Sequence, residues 1–221
     1  TLLEVLRDRF GLTSVKDGCS PQGQCGCCTV LVDGEPRVSC VTPIRRVADR
    51  SVETLEGLAD EELSTWTSAF CSTGASQCGF CTPGIVMRLE GQRRRGTDLT
   101  DRPAVDRALA AHLCRCTGWQ TIVEAAAAVG SGAVVPTTDP FAGRDLTAAS
   151  RRATIEGGAD QHVHPDVISG RGGFADDAAS PGTLVAITNP DGGWTVGDTL
   201  SGARRAAGKV QGRLVGLLRR Y

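Results

Sequence analysis

Apolar Leu3, Leu6 and Phe10 recur at helical spacing in the opening stretch TLLEVLRDRFG, which predicts an amphipathic helix over residues 1–11 with Gly11 at its stop position. Periodicity disappears from Gly18, where a loop rich in Gly, Gln, Pro and Cys begins. The stretch CTVLVDGEPRVSCV then gives two short β-type runs about Asp33-Gly34, a strong hairpin signal. Pro36 has no N–H to donate, so it belongs at a sheet edge or just after the turn. From about Val52 the pattern becomes helical. DEELSTWTSAF (60–70) opens on acidic residues and spaces Leu63, Trp66 and Phe70 as a helix would. A second helix begins at TPGIVMRLEGQRR, with Thr82 as candidate N-cap and Pro83 in its first turn. DRPAVDRALAAHL (101–113) repeats that device with Asp101 and Pro103, and GWQTIVEAAAAVG (118–130) makes a fourth helix. Four short helices with short connections predict a compact bundle.

After Gly130 the composition shifts. GSGAVVPTTDPFAG reads as a linker, rich in Gly, Pro and Thr. Residues 145–221 have Gly-rich turns, few aromatics and one strand candidate, TLVAITN at 183–189. Residues 200–221 carry six Lys or Arg and no acid, which fits a basic amphipathic helix or a solvated tail. The expected organisation is a loop-and-hairpin domain at 1–50, a helical domain at 51–130, a linker at 131–144 and an irregular extension at 145–221.

A net charge of −1 gives no reason to expect a nucleic-acid or anionic-membrane partner. No run of about eighteen apolar residues is present, so no membrane span is expected. The charged opening lacks the form of a signal peptide, and the chain reads as cytoplasmic.

The cysteines change the picture. All ten lie between Cys19 and Cys116, in tight clumps. A disulfide scaffold usually spreads its bridges through a short secreted chain, and several of these cysteines are too close in sequence to bridge without strain. Metal ligation remains. A plant-type two-iron cluster takes three thiolates from one loop, C-x4-C-x2-C, and a fourth from farther along. Cys19, Cys25 and Cys28 supply such a loop, with five residues in its first gap rather than four, and Cys40 follows after eleven intervening residues. Cys27 lies within that loop as an alternative ligand. The second set is CGFC (Cys78, Cys81) followed, 32 residues on, by CRC (Cys114, Cys116). Structural zinc prefers pairs spaced C-x2-C or wider, so the C-x-C pair leans toward a second two-iron cluster, with zinc as the alternative.

Four stretches in this order, LLEVLRDRFGLTSVKDGC, CGCCTVLVDGEP, SQCGFCTPGIVM and HLCRCTGW, resemble the iron–sulfur subunit or domain of the molybdenum hydroxylases, the family of xanthine dehydrogenase, aldehyde oxidoreductase and carbon monoxide dehydrogenase. The resemblance covers roughly residues 1–130. It implies an α+β fold, a plant-ferredoxin-like β-grasp domain followed by a four-helix bundle that carries a second cluster. It implies Cys19, Cys25, Cys28 and Cys40 as ligands of a first [2Fe-2S] cluster and Cys78, Cys81, Cys114 and Cys116 as ligands of a second. It also implies electron transfer from a molybdopterin centre on a large partner subunit, through both clusters, to FAD on a medium one. Gln77 and the backbone at Cys116 are expected beside the pterin. Relatives have a β-hairpin before the first helix that this sequence lacks, so its sheet is expected to look incomplete. VISGRGGFADDAASPGTLVAITN resembles the opening of the molybdenum-binding large subunit, so the extension is expected to dock on that subunit.

Beyond eight ligands, Cys27 and Cys71 read as small buried apolar side chains. His112 reads as a bundle-surface residue, His162 and His164 as parts of a solvated tail, and Trp119 as core. Arg115, between two ligands, reads as a charge that raises the nearby cluster's potential or as a partner contact. No nucleophile–base set or phosphate loop is apparent, so substrate chemistry is expected on another chain. A free-standing ferredoxin-like carrier or a zinc-stabilised interaction module are the rival readings.

Overall fold

The computed structural model describes residues 1–19, 22–134, 145–155, 163–175, 177–180, 182–189 and 191–208. Its first helix, α1, runs as an α-turn over Leu2–Glu4, capped by the Thr1 hydroxyl, and continues as a π-helix over Val5–Arg9. Leu2, Leu3 and Leu6 are buried as the periodicity predicts, but Phe10 is 68% exposed. The cause is the wider turn. Phe10 N–H reaches back five residues to Val5 O (3.2 Å), which rotates its side chain off the apolar face. Gly11 ends the helix at φ 65°.

Strands β1 (Thr29–Val32) and β2 (Glu35–Val38) form the expected hairpin. Asp33 and Gly34 turn it, both at positive φ (50° and 78°), as a two-residue loop matched to strand twist requires. β3 (Val52–Glu53) pairs antiparallel on the other side of β1, giving the order β2-β1-β3. Pro36 therefore lies on an edge strand, as anticipated, whereas Val52 is strand where helix was expected. The middle strand β1 is buried on both faces. Val30 and Val32 pack with Leu2, Leu3, Leu6, Cys28 and Cys40, and Leu31 faces a helical core.

That core is built by α2 (Asp60–Thr73), α3 (Thr82–Arg94), α4 (Arg102–Leu109) and α5 (Gln120–Gly130). Helix α2 packs on α5, and α4 packs on both α3 and α5. Thr82 is not the cap of α3. Cys81 holds that position, and the Thr82 hydroxyl is 2.8 Å from that of Ser76. Helix α4 ends at Leu109, four residues short of the predicted stretch. Trp119 is half-buried at the start of α5, at φ 73°, with its ring against the core.

Helix α3 meets the rest of the molecule through two glycines seven residues apart, hence on one face. A Cβ at Gly91 would stand 2.5 Å from Pro36 Cγ and 2.8 Å from Leu31 Cδ2. One at Gly84 would stand 2.3 Å from Gly26 O and 2.9 Å from Cys27 Cα. The helix is thus laid directly on the hairpin and on the first cysteine loop.

Glu90, on α3, is fully buried and ties the helical core together. It accepts from Trp66 Nε1 (2.8 Å), Arg93 Nε (2.8 Å) and Arg94 Nε (2.7 Å). Burial alone would push its pKa up, but the Arg93, Trp66 and Arg94 hydrogen bonds outweigh it and hold the carboxyl at about 2. The contribution is therefore complete above the ordinary value of 4.5 and lost as pH falls toward 2. Glu90→Gln should cost about 2 kcal/mol in urea unfolding at pH 7, the worth of a hydrogen bond to a charged group, and less at pH 3.

The extension contributes α6 (Leu146–Ile155), α7 (Pro165–Ile168), the antiparallel pair β4 (Val185–Thr188) and β5 (Trp194–Gly197), and α8 (Leu200–Ala206). β4 matches the expected strand, and β5 was not apparent in the sequence. Residues 135–144 of the expected linker and 209–221 of the expected basic end lie outside the described residues. Helix α7 packs on α2 and α3, and α8 packs on the β4–β5 ribbon. No helix among the described residues is long and apolar enough to cross a membrane.

Candidate metal centres

The hairpin register explains why Cys28 and Cys40 meet. Thr29 pairs with Val38 at the open end of the ribbon. Ser39 then closes it, its N–H (3.1 Å) and hydroxyl (2.9 Å) both donating to Cys28 O. Cys40 N–H is left pointing at Cys28 Sγ (3.4 Å). Buried Cys25 and half-buried Cys19 complete the group, and Gln22 N–H donates to Cys19 Sγ (3.1 Å). Gly23 (φ 71°) and Gly26 (φ 69°) let the loop turn its amides inward, the arrangement that favours anionic sulfur. The Cys28 thiol is held down at about 7, first by its hydrogen bond from Cys40, against the opposing effect of burial. The Cys40 thiol is pushed up by the same bond.

Cys27 lies beside Cys25, its sulfur 3.2 Å and that of Cys25 3.0 Å from where a Gly18 Cβ would stand, and it shares the helical core with Cys25, Leu31 and Cys81. Its thiol is pushed up, first by its hydrogen bond to Cys25, whose own thiol that bond holds at about 5. Cys71 is buried in the same core, and its Sγ contacts Val163 O (3.5 Å).

The second set sits where α2 turns into α3 and where α4 turns into α5. Cys116 Sγ is 3.5 Å from Cys78 Sγ, both exposed, and Cys81 contacts Cys114 farther in. Cys114 is held at about 5, first by the Cys81 bond, with the Thr117 hydroxyl also 3.1 Å from its sulfur. Gln77 and Arg115 are exposed on the side of Cys78 and Cys116. Among the described residues, no three cysteine, histidine or carboxylate side chains converge as a single metal ion would need. The sulfurs instead come as two adjacent pairs in each set. Paired thiols with inward amides fit a binuclear cluster, which takes four thiolates.

The two sets are joined by the segment that precedes Cys114. Leu113 N–H donates to Cys25 O at 3.0 Å. His112 is not on the surface but 4% exposed, with its ring where a Gly26 side chain would be (2.4 Å to Cδ2) and its Nε2 3.3 Å from the Thr29 hydroxyl. Burial first, and then Arg88, push its pKa down to about 4, so the ring is neutral at pH 7. Sequence alone missed this wedge. Its one signal was the apolar run AAHL, which does not say what the ring would face. His164 is exposed and caps α7 through Nδ1, and His162 lies outside the described residues.

A family model described as a [2Fe-2S] binding domain matches residues 54–127. The nicotinate dehydrogenase small FeS subunit of Eubacterium barkeri is 41% identical over 53% of this chain and 74% of its own length. The xanthine dehydrogenase iron-sulfur-binding subunit of Escherichia coli O157:H7 is 45% identical over 55% of this chain and 77% of its own. The chain belongs to the iron–sulfur subunits of the xanthine dehydrogenase–aldehyde oxidoreductase family. It is an electron-transfer subunit of an oxidoreductase complex. The same family supplies a solved structure, aldehyde oxidoreductase from Desulfovibrio gigas, with a TM-score of 0.65 and 33% identity. It covers 85% of this chain but only 21% of that one. The likeness thus runs past the iron–sulfur region into the extension, and this subunit corresponds to about a fifth of that larger chain.

Proposed function

We propose that this subunit carries two [2Fe-2S] clusters in series between a molybdopterin centre on a large partner subunit and FAD on a medium one. Cys19, Cys25, Cys28 and Cys40 hold the first, in a ferredoxin-like domain at 1–50 whose sheet is closed by Val52–Glu53. Cys78, Cys81, Cys114 and Cys116 hold the second, in a helical-bundle domain at 51–130. Each cluster supplies one-electron chemistry, and the chain supplies position, burial and hydrogen bonds.

The observation that carries this reading is the Leu113 N–H to Cys25 O bond (3.0 Å). It leaves one hydrogen bond and a short run of backbone between Cys25 and Cys114. Orientation supports the order of transfer. The outer side of the second set, with Gln77, Cys78 and Cys116, is open to a large subunit that holds the pterin. At the first set, Val41 and Ile44 are each 47% exposed near buried Cys40, an apolar exit toward the flavin partner. The extension from 145 docks on the large subunit through the outer side of the β4–β5 ribbon, where Leu184, Trp194 and Val196 are exposed.

The test is iron, acid-labile sulfide and zinc analysis of anaerobically purified protein, with EPR after dithionite reduction. About four irons and about four sulfides per chain, with two distinct rhombic signals, are expected from the ligand count. One zinc with no visible absorption would leave a structural module and end the redox reading. About two irons with one signal would mean that the longer Cys19–Cys25 loop holds no cluster.

A further inference from the structure

Ligation does not explain Lys16. Its side chain is 2% exposed, three residues ahead of Cys19, and its backbone N–H donates to Cys27 O (3.3 Å). Its ammonium finds its partners in the extension. It pairs with Asp177, donates to Gly170 O (3.4 Å) and lies 5.1 Å from the Phe174 ring centroid. Arg7 takes the other oxygen of Asp177 at 2.9 Å. Phe174 meets Phe80 edge-on, with centroids 5.1 Å apart and planes at 88°. Phe80 stands between Cys78 and Cys81. Its ring edge comes within 3.1 Å of where a Gly18 Cβ would lie, and Cys25 Sγ is 3.0 Å from that same point. The extension thus crosses the seam where the two cysteine loops touch. Two glycines seat it there: a Cβ at Gly79 would strike Val167 Cγ1 (2.2 Å), and one at Gly170 would strike Ser14 Cβ (2.7 Å).

We propose that Asp177 is a positioning residue for electron transfer: by holding Lys16 and Arg7 on one carboxylate, it offsets buried positive charge beside the first cysteine loop and so holds that cluster's potential down. The proposal rests on the two-cluster reading above. A reduced cluster carries one more negative charge than an oxidised one, so nearby positive charge favours reduction. Lys16 and its partner are buried, so salt screens them little. Neutralising Asp177 removes the carboxylate that offsets the Lys16 ammonium and raises the potential. Neutralising Lys16 removes a cation and lowers it. Phe174, on the Phe80 ring, closes the same seam to water.

The experiment is an EPR-monitored redox titration of the full chain loaded with its clusters, as wild type, Asp177→Asn, Asp177→Glu and Lys16→Met. Asp166→Asn is the control, since it touches only the exposed Arg171 and His164 contacts on the same extension. The midpoint of one signal should move up in Asp177→Asn, move down in Lys16→Met, and stay put in Asp177→Glu and the control. The other signal should move less. Opposite shifts are the decisive result, because general loosening of the extension would move both variants the same way. Midpoints unchanged in both, or shifted in one direction in both, overturn the proposal. If Asp177→Asn fails to hold iron, Lys16→Met decides alone, with a lowered midpoint in support and any other against. Absence of two signals in the wild type would instead sink the two-cluster reading itself.

Discussion

Cys25→Ala is expected to strip one cluster from the chain and spare the other. Iron should fall from about four to about two per chain, following the ligand count, and one of the two rhombic signals should vanish. Cys27→Ala, two residues away, should keep both. The difference follows from the two thiols. Cys25 adjoins Cys19 and is held down at about 5, the favoured thiolate of the pair, while the neighbouring Cys27 thiol is pushed up and hydrogen-bonds back to Cys25. Alanine at 25 removes a thiolate but keeps the carbonyl that accepts from Leu113, so the second loop stays anchored. Alanine at 27 removes a donor to Cys25, and because such a donor favours the reduced state, the first cluster's potential should drop. Iron analysis and EPR on both variants check this. Loss of iron from Cys27→Ala with retention in Cys25→Ala would exchange their roles.

The elements that were legible in the sequence are those whose signal is local. Asp33-Gly34 is a turn because two successive residues must take positive φ, and the flanking alternation needs no other information. The α2 helix shows itself through Trp66 and Phe70, and Gly74 at φ 71° ends it. Cysteine spacing likewise carries chemistry, since a loop with three thiols has few other uses. What stayed hidden is long-range or depends on phase. Phe10 has the right spacing for an α-helix and the wrong one for the π-turn that forms. Val52–Glu53 is too short to show alternation and becomes strand only because β1 has a free edge. His112 looks polar and exposed until α3 is brought against the first loop, when the space left by Gly26 takes the ring. The extension's seat is the extreme case. Its contacts, Asp177 with Lys16 and Arg7, Ser201 with Asp8, and Arg205 with Glu4, join residues more than 150 positions apart. No periodicity reports them.

The closest long-range approach to backbone predicts the largest structural effect. Gly84→Val should destabilise the chain by about 3 kcal/mol, the upper end for overpacking, and weaken the magnetic interaction between the clusters. A Cβ at this position meets Gly26 O at 2.3 Å and Cys27 Cα at 2.9 Å, and both are backbone atoms of the first loop. Side chains can swing aside, but this backbone cannot, because its neighbouring groups are the ones that aim Cys25 and Cys28. Relief has to come from α3 lifting off the loop, which carries Cys81 away from Cys27 and strains the Leu113–Cys25 bond. Gly91→Ala separates the two consequences. Its Cβ meets only side chains, Pro36 Cγ at 2.5 Å and Leu31 Cδ2 at 2.8 Å, two turns farther along the same face. That variant should lose stability in urea unfolding yet keep the wild-type interaction between its EPR signals. If Gly84→Val kept it as well, the contact at Gly26 would serve packing alone, and the spacing of the two loops would be set by Leu113 and His112.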